Sequence, residues 1–159
     1  RAFKRMDDII KELATVEKLT SHNSMMYKEH TSFFNIYNKT LEIIMVNPEN
    51  IASKIKSFNF SVDISMFSIA LKNLIDNAIK FSPNNKAIIN ASKDEIQVIS
   101  LGEPLKYDLD YYTEAFSQEE KRSDGFGLGL YIVKTIATLH GYKLLYKYEN
   151  EKNYFIIKM

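Results

Sequence analysis

The spacing of apolar and polar residues divides the chain into helices and strands. Apolar side chains recur at three- and four-residue intervals along several stretches, the period of a helix with one buried face. This pattern predicts helices over residues 1–21, 32–45, 64–81 and 128–140. Asp63 stands at the N-cap position of the third helix, and Gly141 follows the last one as a residue that ends helices.

Shorter apolar runs, several of them alternating with polar residues, predict strands between these helices. The predicted strands cover residues 55–62, 87–91, 96–99, 142–148 and 154–159. The second and third would form a hairpin at Lys93 and Asp94, and the last two a terminal hairpin. Helices and strands in mixed runs with antiparallel pairs indicate an α+β fold, a sheet with helices on one face.

The polar, tyrosine-rich stretch that follows Pro104 and ends at Asp124 has little periodicity. It is too long to be a simple connection between two elements, which favours a lid or a binding loop. Residues 21–24 interrupt the first helical pattern and are the candidate linker. The amphipathic helix before this linker either packs on its own domain or is the remnant of a helical bundle or coiled coil.

Composition limits the classes of protein to which the chain can belong. A chain of 159 residues with 45% hydrophobic residues can form one domain with a core and an appendage. A net charge of +1 gives no electrostatic argument for nucleic acid, and the absence of cysteine excludes disulfides and thiolate metal sites. No apolar stretch approaches the roughly 20 residues that cross a bilayer. Because the first residue is Arg1, we expect a longer parent protein.

Glycines cluster immediately before the predicted helix at 128–140. Three of the chain's five glycines are Gly125, Gly127 and Gly129. Glycine lets a ligand approach the backbone, and a helix N-terminus offers N–H groups and partial positive charge to an anion. The segment therefore predicts either a phosphate site or, more simply, a loop hinged before a helix.

A second group of polar residues lies on the helix predicted at 64–81. Asn73, Asn77 and Lys80 project within an arc of about 60° at 100° per residue. A solvated face would explain them, but such faces are usually rich in Glu and Lys, and Asn is a poor helix former. An amide oxygen suits Mg²⁺ and an ammonium suits phosphate. Together the two groups predict a nucleotide triphosphate site built from two halves.

These two segments carry a resemblance to a known family. Residues 73–82, Asn-Leu-Ile-Asp-Asn-Ala-Ile-Lys-Phe-Ser, resemble the N box of sensor histidine kinases, and residues 125–134, Gly-Phe-Gly-Leu-Gly-Leu-Tyr-Ile-Val-Lys, resemble their G2 box. Phe116 with its acidic and aromatic surroundings resembles the F box. The resemblance covers about residues 58–159. It implies a Bergerat-type ATP-binding fold: a two-layer α/β sandwich, with a mixed sheet backed by helices and a mobile lid at about 106–124.

The resemblance also implies roles for individual residues. Asn77 would ligate Mg²⁺, and Asn73 and Lys80 would be the catalytic residues that help to place the triphosphate. The backbone around Gly127 and Gly129 would hold phosphates. The complete set of implied nucleotide-binding residues is Asn73, Asn77, Lys80, Phe81, Ser100, Gly102, Phe116, Arg122, Gly125, Gly127, Leu128 and Gly129. Residues 1–24 would be the end of the dimerisation and phosphoacceptor helix with its linker, and 25–159 the catalytic domain.

Asn73 has a physical meaning of its own. Bergerat enzymes that hydrolyse ATP place a glutamate four residues before the metal-binding asparagine to activate water. An amide cannot act as a general base, whereas a neutral imidazole is already nucleophilic. Asn73 therefore favours phosphoryl transfer to histidine over hydrolysis.

Two features depart from the family pattern. The G1 box usually reads Asp-x-Gly-x-Gly, and its Asp accepts a hydrogen bond from adenine, but here the aligned residues are Ser100, Gly102 and Pro104. A neutral hydrogen bond is weaker than a charged one, so we expect weaker or less adenine-selective binding. No phosphoacceptor motif is present, and His22, His30 and His140 are interpreted as surface or capping histidines.

The resemblance finally implies partners and a location. The partners would be ATP, the protein's own dimerisation domain and a response regulator, in a full-length homodimer that binds no nucleic acid. The portion would lie on the cytoplasmic side of an inner-membrane-anchored bacterial sensor. Two alternatives are a degenerate nucleotide-binding interaction module and a Bergerat-type serine kinase or ATPase.

Overall fold

The computed structural model describes residues 10–11, 14–15, 17–18, 26–44, 46–114 and 128–159. The described residues near the N-terminus are helical, as the apolar pattern predicts for 1–21. The linker predicted at 21–24 lies outside the described residues. No helix in the described part of the chain is both long enough and apolar enough to span a bilayer.

Four α-helices follow in the described ranges, and their bounds agree closely with those that the sequence predicts where it predicts a helix. They are α1 (Phe33–Ile43), α2 (Ile64–Phe81), the short α3 (Leu109–Thr113) and α4 (Gly129–Leu139). The Asp63 carboxylate caps α2 by accepting a hydrogen bond from the Met66 N–H at 3.0 Å, which confirms the predicted N-cap. Gly141 follows α4 with a φ of +76°, as expected of the residue that ends a helix.

The strands form one large mixed sheet and a separate two-stranded ribbon. In chain order they are β1 (Lys28–Ser32), β2 (Ile51–Ile55), β3 (Asn59–Asp63), β4 (Ala87–Ala91), β5 (Glu95–Leu101), β6 (Lys143–Glu149) and β7 (Lys152–Lys158). The sheet has the order β2-β4-β5-β7-β6, in which only β2 and β4 are parallel, and β1 pairs with β3. Both predicted hairpins are confirmed, and so is the mixed sheet backed by helices.

The continuous strand predicted over 55–62 is wrong, because the chain changes partners within it. The Lys56 N–H still bonds to the Ala91 carbonyl at 2.9 Å, which extends the pairing of β2 with β4. Two residues later the Phe58 carbonyl accepts from the Phe33 N–H at 3.0 Å, and β3 then pairs with β1. The side-chain alternation is interrupted at the same place, because Lys56 and Ser57 are both exposed and it resumes only from Phe58.

Helix α2 is the centre of the core. Its side chains at Phe67, Leu71, Leu74 and Ile75 are fully buried. The Phe67 ring lies 5.4 Å from that of Phe60 and 5.6 Å from that of His140, both edge to face. Such pairs add about 0.5–1.5 kcal/mol beyond the area that they bury. This packing holds α2 against α4 and so fixes the relative position of the two segments that the sequence singles out.

His140 is buried and joins the C-terminus of α4 to the N-terminus of α2. Its Nδ1 lies 2.7 Å from the Ile136 carbonyl, and its Nε2 accepts from the Asp63 N–H at 3.0 Å. Of the two interpretations given above, the capping role is therefore correct and the surface location is wrong. Burial lowers the pKa of His140 below its ordinary 6.5; Lys28 also lowers it, while the Ile136 carbonyl and Asp63 raise it.

This geometry makes stability depend on pH. Protonation of Nε2 would remove the acceptor for the Asp63 N–H, and the unfolded chain takes up the proton more readily than the folded one. The free energy of unfolding should therefore fall as the pH drops through the unfolded-state value of 6.5. Urea unfolding at pH 7.5 and 5.5 measures this, and His140→Gln should reduce the difference whereas His30→Gln, at an exposed position, should not. An unchanged difference in His140→Gln would contradict the assignment.

Candidate functional site

The two sequence segments meet where α2 passes the first turn of α4. A Cβ atom built on Gly129 would lie 3.4 Å from Nδ2 and 3.8 Å from Oδ1 of Asn77. The Asn77 amide therefore lies against the backbone at the start of α4. Gly129 is buried, and the space beside it would admit a Cβ atom but nothing much larger.

On both sides of this contact, polar groups lack hydrogen-bond partners among the described residues. The Asn77 Nδ2 atom is buried and has no hydrogen-bond partner among them. Leu128 is the N-cap residue of α4, and no side chain in the described part of the chain makes a capping hydrogen bond there. A buried unpaired donor costs about 1–3 kcal/mol, and the first N–H groups of a helix favour an anion. The arrangement is therefore suited to a ligand with negatively charged oxygens.

A cavity of about 720 Å³ opens from this point toward β5 and β7. Its size is that of a site for a small molecule or cofactor. The lining residues are Asn77, Ala78, Lys80, Phe81, Ser82, Pro83, Ser100, Gly102, Glu103, Pro104, Leu105, Lys106, Tyr112, Asn153 and Phe155. The cavity thus combines polar groups on α2, apolar side chains at Ala78, Leu105 and Phe155, and the small residues Ser100 and Gly102.

The segment after β5 is fixed to the sheet by hydrogen bonds. Asn153 donates from Nδ2 to the Glu103 carbonyl at 2.9 Å and accepts at Oδ1 from the Tyr146 hydroxyl at 2.5 Å. The Tyr146 hydroxyl in turn accepts from the Leu105 N–H at 3.0 Å. Gly102 has a φ of +148°, a backbone conformation that favours glycine.

The protonation state of Tyr146 supports this network. Burial raises the pKa of Tyr146 above its ordinary value of 10.0, and the nearby Tyr148 and Tyr112 raise it further, whereas the hydrogen bond from Leu105 lowers it. The hydroxyl therefore stays protonated at neutral pH and remains a donor to Asn153. The wall of the cavity formed by residues 102–105 is held in place by this bond.

The structure brings together five of the sequence-predicted residues in one cavity. These are Asn77, Lys80, Phe81, Ser100 and Gly102, with Gly129 and Leu128 adjacent through the start of α4. Asn73 is half-buried one turn before Asn77 and does not line the cavity. The remaining predicted residues, Phe116, Arg122, Gly125 and Gly127, lie outside the described residues, as does most of the predicted lid.

Sequence reasoning missed Asn153, Tyr146 and Tyr112. Asn153 could have been found, because it occupies a buried-face position of β7 in alternation with Phe155 and Ile157, where an apolar residue is expected. Tyr112 is 1% exposed on the short α3, within a stretch that showed little periodicity. Its part in the cavity wall comes from tertiary packing, which no local pattern reveals.

The residues present fit a magnesium ion held together with a ligand's phosphates. The Asn77 side chain lines the cavity, and its Oδ1 atom is an oxygen donor of the kind that Mg²⁺ accepts. No group of three or more His, Cys, Asp or Glu side chains in the described ranges could hold a metal alone. Mg²⁺ commonly takes one or two protein oxygens and completes its shell with water and phosphate.

Gly129→Val should disrupt the site with little effect on the rest of the fold. A Cβ at 3.4 Å from Asn77 is an ordinary contact, but the two methyl groups that valine carries on its Cβ would displace the amide. We expect ligand binding at this site to weaken about 30-fold for an overpacking cost of about 2 kcal/mol. Gly129→Ala is the matched control and should change affinity less than about threefold. Equal effects of Ala and Val would contradict this geometry.

Comparison with known proteins agrees with the geometry. Residues 62–158 match the family model of histidine kinase-, DNA gyrase B- and HSP90-like ATPases. Over 160 aligned residues the chain is 30% identical to the sensor histidine kinase ArsS of Helicobacter pylori; the match covers 98% of this chain and 38% of that protein. The chain therefore spans about two fifths of the length of that relative.

Solved structures show the same fold. The histidine kinase AdeS of Acinetobacter baumannii superposes with a TM-score of 0.73 at 19% identity, covering 99% of this chain and 79% of that one. The histidine kinase ThkA, solved in complex with the response regulator protein TrrA, gives a TM-score of 0.72 at 17% identity, covering 99% of this chain and 48% of that one. The chain belongs to the family of histidine kinase-, DNA gyrase B- and HSP90-like ATPases and is an ATP-binding catalytic domain of the sensor histidine kinase type.

Proposed function

We propose that this domain transfers the γ-phosphoryl group of Mg²⁺-bound ATP to a histidine on the dimerisation domain of its parent protein. The observation that carries the proposal is the contact between the Asn77 amide and Gly129 at the start of α4, which no described side chain caps. It supports a triphosphate site at the junction of α2 and α4, with the apolar part of the cavity left for the base.

Different residues of the chain would bind the metal ion and the individual phosphates. Bound Mg²⁺ would offset the charge of the phosphates. Asn77 would hold the ion through Oδ1 and donate from Nδ2 to a phosphate oxygen. Lys80, exposed at the cavity with its Nζ 5.3 Å from the centre of the Phe81 ring, can reach a phosphate from the same face of α2. The first N–H groups of α4 would bind a second phosphate.

Phosphoryl transfer rests on positioning and charge stabilisation, not on an acid–base residue of the domain. Asn73 stands one turn before Asn77, where a carboxylate would be needed to activate water, and an amide cannot accept that proton. The site would thus hold ATP without hydrolysing it until a neutral imidazole approaches. The predicted contributions of Phe116, Arg122, Gly125 and Gly127 belong to the same proposal, as backbone or side-chain contacts to the nucleotide.

The same proposal extends to the parent protein. Residues 1–24 would be the end of the phosphoacceptor helix and its linker, 25–159 the catalytic domain, and the full-length protein a homodimer. A response regulator would receive the phosphoryl group, a role supported by the ThkA–TrrA complex, which has a related fold. The domain would lie on the cytoplasmic side of a sensor anchored in the inner membrane, as the similarity to a sensor histidine kinase suggests.

A phosphotransfer assay tests this function. The domain is mixed with the separately produced dimerisation domain of its parent and γ-labelled ATP with Mg²⁺, and the label on the acceptor is then exposed to acid and to base. The proposal predicts label that is lost in acid and retained in base, and none on an acceptor whose histidine is replaced. Acid-stable label would indicate a serine or threonine acceptor, and release of phosphate without labelling would indicate an ATPase; either result would contradict the proposal.

A further inference from the structure

Ser100 is the polar side chain of β5 that faces the cavity beside its apolar part. It is 7% exposed and pairs in register with Asn153 on β7. No side chain or backbone group in the described part of the chain makes a hydrogen bond with its hydroxyl, whereas the Asn153 amide is engaged with Tyr146 and the Glu103 carbonyl. The hydroxyl is thus available to a ligand, and the neighbouring amide is held in place.

A hydroxyl differs from a carboxylate in what it can recognise. An ionised carboxylate only accepts hydrogen bonds, while a serine hydroxyl both donates and accepts and turns about its C–O bond to suit its partner. Toward a 6-amino purine the hydroxyl would accept from the amino group. Toward a 6-oxo purine it would donate to the carbonyl oxygen, which a carboxylate would repel.

No other lining residue in the described part of the chain imposes a charge on the base. The acidic lining residue, Glu103, is exposed, and its contact to Asn153 is made by the backbone carbonyl. The lysines of the lining, Lys80 and Lys106, are exposed and lie over the rings of Phe81 and Tyr107. Position six of the base would therefore be recognised by the Ser100 hydroxyl, a neutral group that can either donate or accept a hydrogen bond.

We propose that Ser100 makes this site accept 6-oxo purine nucleotides, the class that includes ITP and GTP, as readily as ATP. The proposal rests on the proposed function, because it takes the base to lie in the apolar part of the cavity with the phosphates at α4. Ser100 is a specificity-determining residue on this account, and its hydroxyl adds affinity for both kinds of base.

Calorimetry with Mg²⁺-bound ATP and ITP tests the proposal, since ITP carries the 6-oxo group without the additional 2-amino group of GTP. The dissociation constants of the two nucleotides should agree within about threefold. ITP binding more than about tenfold weaker than ATP, which is a difference of about 1.4 kcal/mol, would overturn the inference. If neither nucleotide bound, the proposed function itself would fail, so the two failures are distinguishable.

Variants assign the effect to Ser100. Ser100→Asp should tighten ATP and weaken ITP, separating them by about tenfold or more, because the carboxylate accepts from the amino group and repels the oxo group. Ser100→Ala should weaken both nucleotides by about fivefold, the value of one neutral hydrogen bond. Ser57→Asp, at an exposed position outside the cavity, is the control for added charge and should leave the ratio unchanged. The melting temperature of Ser100→Asp shows whether this variant folds. If it folds, an unchanged ratio of ATP to ITP affinity would overturn the proposal. If it does not fold, an unchanged affinity of Ser100→Ala for both nucleotides would overturn it.

Discussion

Replacing Asn77 with alanine is expected to weaken binding of Mg²⁺-bound ATP at least about 100-fold. The substitution removes Oδ1, the proposed ligand of the ion, and Nδ2, a buried donor without a partner among the described residues. A hydrogen bond to a charged group contributes about 1.5–3 kcal/mol, and losing it together with a metal ligand exceeds the roughly 2.7 kcal/mol that corresponds to 100-fold. Calorimetry with Mg²⁺ and ATP measures the loss.

The fold itself should tolerate this change, since it removes an unpaired buried polar group and leaves the apolar face of α2 intact. Asn38→Ala is the matched control, because Asn38 is an exposed asparagine on α1 and lies outside the cavity. The control should bind as tightly as the unchanged chain. A melting temperature of Asn77→Ala several degrees below that of Asn38→Ala would mean that Asn77 has a structural role instead.

Phe67→Ala should produce the largest loss of stability, about 3–5 kcal/mol in the free energy of unfolding. Phe67 is fully buried, and its ring contacts those of Phe60, His140 and Tyr142. Removing it leaves a cavity between α2 and α4 that neighbouring rings cannot fill by small movements. Urea unfolding measures the effect.

A second phenylalanine provides the control for this change. Phe34 on α1 is 43% exposed, so Phe34→Ala should cost less than about 1 kcal/mol. Because α2 and α4 together position Asn77 and Gly129, nucleotide affinity should fall with stability in Phe67→Ala but not in Phe34→Ala. Similar unfolding curves for the two variants would mean that the core is centred elsewhere.

The sequence predicts most of the helices because their signals are local. The Asp63 cap, the apolar stripe of α2 and the Gly141 terminus each need only a few neighbouring residues to be recognised. The same holds for the β4–β5 hairpin at Lys93 and Asp94, where two apolar runs are separated by a short polar turn. Local chemistry and tertiary structure agree at these positions, so the predicted bounds deviate by only one or two residues.

Errors arise where long-range pairing decides the outcome. The change of partner falls at Lys56 and Ser57, two successive exposed residues that a bulge within one strand would also explain. The pattern therefore predicts one strand where β2 and β3 belong to different sheets. The burial of His140 depends on the Asp63 N–H, seventy-seven residues away in sequence. No periodicity within α4 can indicate that contact.

Some residues of the candidate site can also be recognised in the sequence, and others cannot. Asn77, Lys80 and Gly129 stand out in the sequence because their residue types are unusual for their positions on helices, and the structure brings Asn77 and Gly129 into contact. The wall of the cavity does not stand out, because it depends on the network that joins Asn153 and Tyr146 to residues 102–105. Those contacts are set by the register of β6 and β7 against β5.

The central claim is that α2 and the start of α4 form one site for Mg²⁺-bound ATP. Heteronuclear NMR of the ¹⁵N-labelled domain, titrated with ATP in the presence and absence of Mg²⁺, tests this claim most directly. The account predicts that the Asn77 side-chain amide and the Gly129 and Gly102 backbone amides shift together, and that the Asn77 signal responds more strongly when Mg²⁺ is present. Shifts confined to another surface, such as the groove lined by Lys54 and Asn90, with Asn77 and Gly129 unchanged, would contradict it.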